Sequence, residues 1–343
     1  MNLTECNGRD AAAAFSGKLP PDALTRSVLS NRGTPRPEVL IGPAVGEDAA
    51  VIEWPAGKLM VIASDPIVGA SRGAGKLLVR VNVNDIASKG GEPAYMTVTL
   101  ILPPEMGERT VSSIMKEIHD ECLENGIAIV GGHTEFSGRY RHPVMSATLV
   151  GTADRVLDAS DISRGDAILV SKHVGIEGMA ILASDRPDLL ETVFSRGEIR
   201  EMEGWSDLTS VLPESRLLRG YSSFMHDPTE GGFRGGISEI CRLSGMSANI
   251  GRDSVPVHEY TLRASKALGF DPLRLVASGS MIAIVPGDRV GDVMDAFRDL
   301  PIAMTVAGSI EEARGTDAVP DSRDTGEEIW ALLNRRGSGE GAV

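Results

Sequence analysis

The stretch NVNDIASKGGEP, residues 82–93, joins a helical pattern to a strand and contains the most informative acid of the chain. Residues 75–89 have the apolar spacing of a helix, and the next run, AYMTVTLIL at 94–102, is rich in strand-forming residues. Asp85 lies in the apolar part of the helical pattern, where a carboxylate is costly to bury without a partner. The stretch predicts a helix, a glycine turn and a strand, with Asp85 as a candidate functional residue.

Further strands and a second helix surround this unit in the first half of the chain. Two strand-like runs, 51–54 and 58–64, are separated by Pro55-Ala56-Gly57, which predicts a hairpin. Residues 108–125 repeat apolar side chains at i, i+3, i+4 and i+7, so they predict an amphipathic helix that ends at Gly126. The remaining strands are predicted at 127–130 and 143–151. The predicted order is therefore β-β-α-β-α-β-β.

The second half begins after a segment that is rich in turn residues. The run DASDISRGD at 158–166 has little apolar content, so it predicts a domain boundary. Strands are predicted beyond it at 166–171, 280–286 and 302–308, and helices at 176–184, 206–219, 231–244 and 288–299. We expect an α+β protein with a mixed α/β N-terminal domain and a C-terminal α/β domain. The expected ranges are 17–155 and 163–312 for these domains, 1–16 for a mobile N-terminus, and 313–343 for a C-terminal helix and mobile tail.

The composition excludes several classes of protein. The 343 residues include 34 Lys and Arg against 48 Asp and Glu, a formal net charge of −14, so no basic surface for nucleic acid is expected. No apolar run is long enough to span a membrane and no leader pattern begins the sequence, which predicts a cytoplasmic protein. The three cysteines are far apart, which argues against a disulfide scaffold and a zinc site; they are Cys6, Cys122 and Cys241.

Several first-half acids occur where the chain is predicted to turn. Asp48 precedes the first strand, Asp65 directly follows a second one, and the polar run GGHTE at 131–135 follows a third. Strand ends and glycine turns are where α/β layers bind ligands, and converging carboxylates repel each other unless a cation lies between them. Oxygen ligands of this kind suit Mg²⁺ bound to a nucleotide phosphate. Taken singly, Asp48 and Asp65 also fit structural turn or capping roles, and His133 fits a hydrogen-bonded loop histidine.

Other nucleotide and hydrolase signatures fail in this sequence. The run GAGK at 73–76 lacks the earlier glycine of a P-loop, since Ala70 occupies that position, and Leu77 stands where Ser or Thr is needed. No GxGxxG pattern is present, and the one GxSxG match, GASRG at 69–73, does not by itself mark a hydrolase nucleophile.

Taken in order, the motifs resemble the PurM-like ATP-binding superfamily. That group includes aminoimidazole ribonucleotide (AIR) synthetase, thiamine-monophosphate kinase, selenophosphate synthetase and the hydrogenase-maturation factor HypE, and the resemblance is closest to HypE. The matching elements are Gly17-Lys18-Leu19, GEDAAV at 46–51, ASD at 63–65, NVNDIASKGGEP at 82–93, GGHTE at 131–135, DPTEGG at 227–232 and ASGSMIAIVP at 277–286. Several motifs in the right order and spacing make the resemblance specific for the superfamily.

The resemblance implies a homodimer whose N-terminal sheets form a β-barrel, with ATP held in a cleft between the two halves. It implies that Mg²⁺ is bound by Asp48, Asp65, Asp85 and Glu135, and that Lys18, His133 and Asp227 are catalytic. The nucleotide-binding residues implied are Asp48, Asp65, Asn82, Asp85, Gly131, Gly132, Thr134 and Thr229, of which the glycines form a phosphate-binding turn.

The sequence also departs from the HypE pattern. HypE proteins end in a cysteine that they modify, whereas this sequence has no cysteine after Cys241, so we expect a separate acceptor. His133 stands where many relatives have Asp, Glu230 replaces a common Arg, and Phe15 occupies the reactive position of selenophosphate synthetases. These differences concern the acceptor more than the nucleotide.

We therefore expect an ATP- and Mg²⁺-dependent enzyme that phosphorylates or dehydrates a carbonyl or amide oxygen of a small-molecule or protein-borne acceptor. We also expect binding to a maturation partner protein, and we expect no binding to nucleic acid or to a membrane. Alternative functions are a non-catalytic nucleotide-binding assembly partner, a small-molecule kinase similar to thiamine-monophosphate kinase, and a metal-dependent phosphate hydrolase. Turnover of ATP with an acceptor distinguishes the enzyme from the non-catalytic partner.

Overall fold

A computed structural model of the chain describes residues 17–45, 49–68, 73–251, 253–313 and 328–335, with the backbone alone at 17, 18 and 68. These residues form two compact units. The first runs to Ile86 and continues over Gly91–Asp154, and the second comprises Ala87–Gly90 and the chain from Arg155 onward. The predicted mobile N-terminus lies outside the described residues, as does most of the predicted C-terminal tail.

The first unit contains seven strands, counting only described residues, and three α-helices. Their bounds are β1 Gly17–Lys18, α1 Pro21–Ser27, β2 Val39–Ile41, β3 Val51–Ile52, β4 Leu59–Val68, α2 Ala74–Ser88, β5 Glu92–Leu102, α3 Gly107–Glu124, β6 Ala128–Phe136 and β7 Val144–Ala153. The predicted order from β3 to β7 is confirmed. The elements β1, α1 and β2 were not predicted, because two- and three-residue strands carry no periodic signal.

Five of these strands form one mixed sheet in the order β1-β6-β5-β7-β4. Strands β5 and β6 are parallel, because helix α3 connects them, and the other pairs are antiparallel. Helices α2 and α3 cover one face, which we call the helix face. There, Cys122 Sγ of α3 lies 3.9 Å from Met96 Sδ of β5, and Ile86 of α2 lies over Gly151 of β7. The opposite face, called the open face, carries exposed Met60 and Ile62.

The hairpin predicted around Pro55-Ala56-Gly57 is wrong. Strand β3 pairs with β2, with Val39 opposite Ile52, and β4 pairs along its whole length with β7. The turn residues at 55–57 do reverse local direction, but β4 has ten residues and finds a much longer partner in β7. Pairing over a long register outweighs a local turn preference, since each added cross-strand pair contributes stability.

The second unit contains a five-stranded sheet and eight α-helices, counting only described residues. Its elements are β8 Ala167–Ser171, α4 Ile176–Asp185, α5 Pro187–Leu190, α6 Arg196–Gly204, α7 Leu212–Leu218, β9 Phe224–His226, α8 Gly232–Ser244, β10 Ser247–Ile250, α9 Glu259–Leu268, β11 Ile282–Val285, α10 Val290–Phe297, β12 Met304–Glu311 and α11 Ile329–Leu333. The strand order is β10-β12-β8-β11-β9, and every pair is antiparallel. The predicted α/β character of this domain therefore takes the form of helices packed on an antiparallel sheet.

Two apolar cores stabilise the second unit. One gathers β8, β9, β11, β12 and α8, and the other gathers α4, α6, α9 and α11. The C-terminal helix α11 joins the second core through buried Ile329 and Leu332, and the Arg186 guanidinium donates to the carbonyl of Leu333 at 2.8 Å. Cationic groups at a helix C-terminus bind the unpaired carbonyls there. In the described part of the chain, no helix is both long and apolar enough to cross a membrane.

Candidate functional site

Asp65, Asn82 and Asp85 meet on the helix face of the first unit. The backbone N–H of Asp65, in β4, donates to Asn82 Oδ1 of α2 at 3.1 Å. Asn82 is fully buried, and its Nδ2 donates to the Leu78 carbonyl one turn earlier at 2.9 Å, which fixes the amide orientation. Asp85 lies three residues further along α2, on the same side of the helix. Helix α2 thus places Asp85, the acid that the sequence indicated, close to Asp65 of β4.

The carboxyl groups of Asp65 and Asp85 are hydrogen-bonded to each other. Burial, together with this hydrogen bond and the charge of Asp65, raises the pKa of Asp85 from 3.8 to about 7. Two carboxylates this close cannot both ionise at low cost unless a proton or a cation lies between them. Carboxylate oxygens suit a hard cation such as Mg²⁺.

A cavity of about 480 Å³ opens on the same unit, beside β6. Strand pairing places Asp65, Ala147, Val98 and Gly132 in one row across β4, β7, β5 and β6. Three strand spacings of about 4.8 Å separate Asp65 from Gly132 by roughly 14 Å. Val98 and Gly132 line the cavity, so it lies along the same row as the acids. Its size is within the usual range for a small-molecule site.

The cavity walls come mainly from elements without a sequence signal. Helix α1 contributes apolar side chains, and the two stretches that flank residues 46–48 contribute Val45 and Ala49. Asp48 itself lies outside the described residues. The remaining lining includes Leu19, Leu24, Val28, Met115, Gly131, His133 and Thr134. A mostly apolar cavity with glycine backbone at one side is a common form of ligand site.

The predicted phosphate-binding turn at 131–135 is wrong in one respect, because these residues continue strand β6 to Phe136. A register shift between β5 and β6 leaves Val130 as an extra residue beside the two glycines. Gly132 has φ 149°, and a Cβ there would lie 1.9 Å from the Val98 carbonyl oxygen. The glycine pair therefore permits close strand packing at a bulge. Sequence reasoning treated glycines as a turn, although glycine also marks bulges within strands.

His133 and Glu135 do not join the aspartate group. Their partners across the sheet, Thr99 and Ile101, belong to the open face, whereas Asp65 belongs to the helix face. His133 Nε2 lies 3.3 Å from Glu135 Oε2, so the two side chains pair with each other. Within the described ranges, no three His, Cys, Asp or Glu side chains are close enough to hold a metal ion together. The predicted metal grouping of Glu135 with Asp65 and Asp85 is thus not observed.

Lys18 and Thr134 lie on two strands that pair with each other, β1 and β6. Backbone pairing sets Lys18 of β1 opposite Glu135 of β6, and the Leu19 N–H donates to the Thr134 carbonyl at 3.1 Å. Thr134 is buried and belongs to the helix face with Gly132. Strand β1 therefore closes the sheet edge next to the cavity.

In the second unit, Asp227 and Thr229 occupy the turn between β9 and α8. Asp227 is 7% exposed. Helix α8 has Gly231, in a left-handed conformation, at its N-cap position. A Cβ at Gly232, whose φ is 60°, would lie 2.5 Å from the Leu275 carbonyl oxygen. The absence of a side chain at Gly232 therefore lets the backbone near Leu275 pack closely against this turn.

A buried ion pair that the sequence did not reveal holds helix α2 in place. Arg80 Nε lies 2.7 Å from Glu121 Oε1 of α3, and both side chains are less than 10% exposed. At the start of α2, the Gly75 N–H donates to Glu117 Oε2 at 3.0 Å. The only available signal was charge within an amphipathic helix, which is far more often solvent-exposed. These contacts position the helix that carries Asn82 and Asp85.

Two family models match the chain. The N-terminal domain of AIR synthase related protein matches residues 46–153, and the C-terminal domain of the same family matches residues 163–320. The carbamoyl dehydratase HypE of Azotobacter vinelandii is 30% identical over 264 residues, 74% of this chain and 75% of that protein. The HypE of Cupriavidus necator is 28% identical over 281 residues, 78% of each chain. The thiamine-monophosphate kinase of Pyrococcus horikoshii is 27% identical over 289 residues, 79% of this chain and 84% of that protein.

Solved structures share the fold. Hydrogenase maturation protein HypE in complex with ATP superimposes with a TM-score of 0.68 at 21% identity, over 85% of this chain and 86% of that one. A HypE–HypF complex matches with a TM-score of 0.62 at 21% identity, over 78% and 88%. The two family models, their order along the chain and the sequence identity to the curated relatives all point to the same family. The chain belongs to the AIR synthase related family, within the PurM-like superfamily.

Proposed function

We propose that this protein is an ATP- and Mg²⁺-dependent enzyme that activates a carbonyl or amide oxygen of an acceptor by phosphorylation or dehydration. The observation that carries the proposal is the convergence of Asp65, Asn82 and Asp85 on one sheet face, in the same strand row as a cavity of about 480 Å³. Two acids that share a proton are poised to exchange that proton for a cation. Relatives named carbamoyl dehydratase and thiamine-monophosphate kinase support this class of chemistry.

In this proposal, Asp65 and Asp85 hold Mg²⁺, with Asp48 as a further ligand. When bound, the ion neutralises phosphate charge, which is a main requirement of phosphoryl transfer. Asn82 holds the β4 backbone at Asp65 and so sets the distance between the acids. Glu135, paired with His133 on the open face, has no place in this metal group.

The cavity beside β6 is the proposed nucleotide-binding site. Gly131 and Gly132 expose backbone there, Thr134 lies next to them, and we assign Lys18 to the phosphates, where ammonium groups often bind. Nucleotide binding in this fold is supported by the HypE structure in complex with ATP. In the second unit we assign Asp227 and Thr229 to the acceptor. The acceptor itself is a small molecule or a group carried by a protein.

A second candidate is a small-molecule kinase, which the Pyrococcus horikoshii relative supports. A third is a non-catalytic assembly partner, and the HypE–HypF complex supports the idea that a maturation protein binds the chain. We also propose a homodimer formed through the open face of the first sheet, where Met60 and Ile62 are 57% and 63% exposed. Large apolar side chains on an open sheet face favour association.

Calorimetry with MgATP tests the metal assignment. Asp65→Asn and Asp85→Asn should each weaken MgATP binding at least tenfold, about 1.4 kcal/mol, because each removes a charged ligand. Asp120→Asn, on the exposed side of α3, removes the same charge away from the site and serves as the control. Unchanged affinity in both site variants would exclude Asp65 and Asp85 as metal ligands.

Turnover separates the candidate activities. Lys18→Ala and Asp227→Ala should melt within a few degrees of the unmodified protein and lose at least tenfold in ATP turnover, because positioning dominates phosphoryl transfer. Cell extract supplies the acceptor in one arm, and thiamine monophosphate is the probe in another. Phosphorylation of thiamine monophosphate would favour the kinase, and tight ATP binding without turnover in any arm would favour the non-catalytic partner.

A further inference from the structure

Lys172, directly after β8, has an unusual backbone conformation. Its φ is 55°, and within the described ranges it is the one residue other than glycine with a positive φ. Its N–H donates to the Ala303 carbonyl at 2.8 Å, so the backbone is held in place. Left-handed backbone disfavours residues with a Cβ, and it persists where surrounding contacts determine it, often at functional sites. The side chain of Lys172 supplies such contacts.

The Lys172 ammonium group is largely buried and makes three polar contacts. Nζ donates to the carbonyls of Leu208 and Ser210 at 3.0 and 2.7 Å, and lies 2.9 Å from Glu214 Oε1. Glu214 is fully buried, and Ser171 Oγ donates to its Oε1 at 2.9 Å. A buried ion pair is weak support for stability, because its desolvation cost offsets its attraction. Such a pair can still fix the geometry of the groups around it.

The loop Ala277–Met281 lies against two groups that this ion pair contacts, Ser171 and Leu208. At one end of the loop, the Met281 N–H donates to Ser171 Oγ at 2.8 Å. In the middle, Gly279 has φ 104°, and a Cβ there would lie 2.9 Å from the Leu208 carbonyl oxygen that Lys172 also contacts. The loop is therefore hydrogen-bonded at Met281 to a group that Glu214 binds, and packs closely at Gly279 against a group that Lys172 binds.

The other end of the loop reaches the proposed acceptor turn. The Ala277 N–H donates to the Thr229 carbonyl at 3.4 Å, and the Gly232 N–H donates to the same oxygen at 3.1 Å. Thr229 lies two residues after Asp227 in that turn. A continuous series of contacts thus connects the Lys172–Glu214 pair to the turn, all within the second unit.

We infer that Lys172 is a positioning residue, which together with Glu214 fixes the loop Ala277–Met281 and through it the Asp227–Thr229 turn. The inference rests on the proposed function, because that function assigns the turn to the acceptor. It accounts for a lysine in a left-handed position with a buried carboxylate partner, neither of which stability alone favours.

The test uses the full chain with the paired substitutions K172M and E214Q, which remove both charges and leave no carboxylate unpaired. The matched control is K116M with D120N, an exposed ion pair on α3. Hydrogen exchange is followed in peptides covering 227–232 and 277–281. Exchange there should be at least tenfold faster in K172M/E214Q and unchanged in the control. Unchanged exchange in both peptides would overturn the inference.

Steady-state kinetics with MgATP and cell extract separate positioning from general stability. We expect kcat to fall at least tenfold while KM for MgATP stays within twofold, because the proposed nucleotide residues lie in the first unit. A kcat within twofold of the unmodified protein would overturn the inference, even with a lower melting temperature. If K172M/E214Q does not fold, S171A breaks the link to Met281 and should show the same two changes. If the unmodified protein has no turnover, the proposed function fails, and hydrogen exchange still decides whether the pair fixes the turn.

Discussion

The backbone N–H of Asp65 and the side chain of Asn82 are joined by a hydrogen bond of 3.1 Å between β4 and α2. Asn82 is fully buried, so Asn82→Ala would leave the Asp65 N–H without this acceptor. We expect a loss of about 1–3 kcal/mol in the free energy of unfolding, measured by urea denaturation. Calorimetry should show weaker MgATP binding as well. Asn334→Ala, on an exposed amide of the second unit, is the control; full MgATP affinity in Asn82→Ala would contradict the role given to Asn82.

Asp85 should make the protein less stable as pH rises. Its pKa is about 7 in the folded protein and 3.8 ordinarily, so between these values the folded state binds more protons than the unfolded state. The free energy of unfolding therefore falls from pH 4 to pH 7 through this group. Asp85→Asn, which stays neutral, should melt higher than the unmodified protein at pH 8 while binding MgATP more weakly. Melting curves from pH 4 to pH 8 check this, and parallel curves for both proteins would contradict it.

His173 should make the protein less stable as pH falls into the acid range. Burial, and secondarily the nearby His258, lower the pKa of His173 from 6.5 to about 4. The unfolded state then binds more protons between these values, so stability is lost as pH falls from 6.5 to 4. His173→Phe keeps a ring beside Trp205, whose centroid is 4.8 Å away, and should flatten this acid limb of the melting curve. Exposed His142→Phe should leave the limb unchanged.

Gly132→Ala should disrupt the first sheet. The added Cβ would meet the Val98 carbonyl oxygen at 1.9 Å, and φ 149° disfavours any residue but glycine. We expect a loss of more than about 3 kcal/mol or failure to fold, measured by denaturation and soluble yield. Gly138 has open space around it, so Gly138→Ala should change stability by less than about 1 kcal/mol. Similar effects of the two substitutions would argue against a bulge at β6.

Ile62→Asp should dissociate the proposed homodimer. Ile62 is 63% exposed on the open face, where a charged side chain would oppose apolar association. Light scattering at micromolar concentration should give twice the chain mass for the unmodified protein and the chain mass for the variant. Leu123→Asp, on a 45% exposed residue of α3, should leave the dimer intact. A monomeric unmodified protein would contradict the proposal.

Local patterns in the sequence were enough to predict most elements of the first half, whereas in the second half the strands β9 and β10 and the helices α6 and α9 were not predicted. The helix at 108–125 was predicted within one residue, because its apolar spacing extends over five turns. Asp85 was found because a carboxylate within an apolar helical run is exceptional, and Asp65 because it directly follows an apolar run; the structure continues β4 past Asp65 to Val68. Asp65, Asn82 and Asp85 could therefore be named from the sequence, and their order among other motifs indicated the family.

Only the tertiary structure decided which of these residues share a face. His133 and Glu135 flank Thr134 in sequence, but side chains alternate along β6, and so these two lie on the face of the sheet opposite to that of the aspartates. The Lys172–Glu214 pair joins residues 42 positions apart, and no local pattern encodes such a contact. Periodicity in the sequence determines helices, strands and their buried sides. Strand register and long-range pairing, which depend on packing between distant segments, decide which functional groups meet.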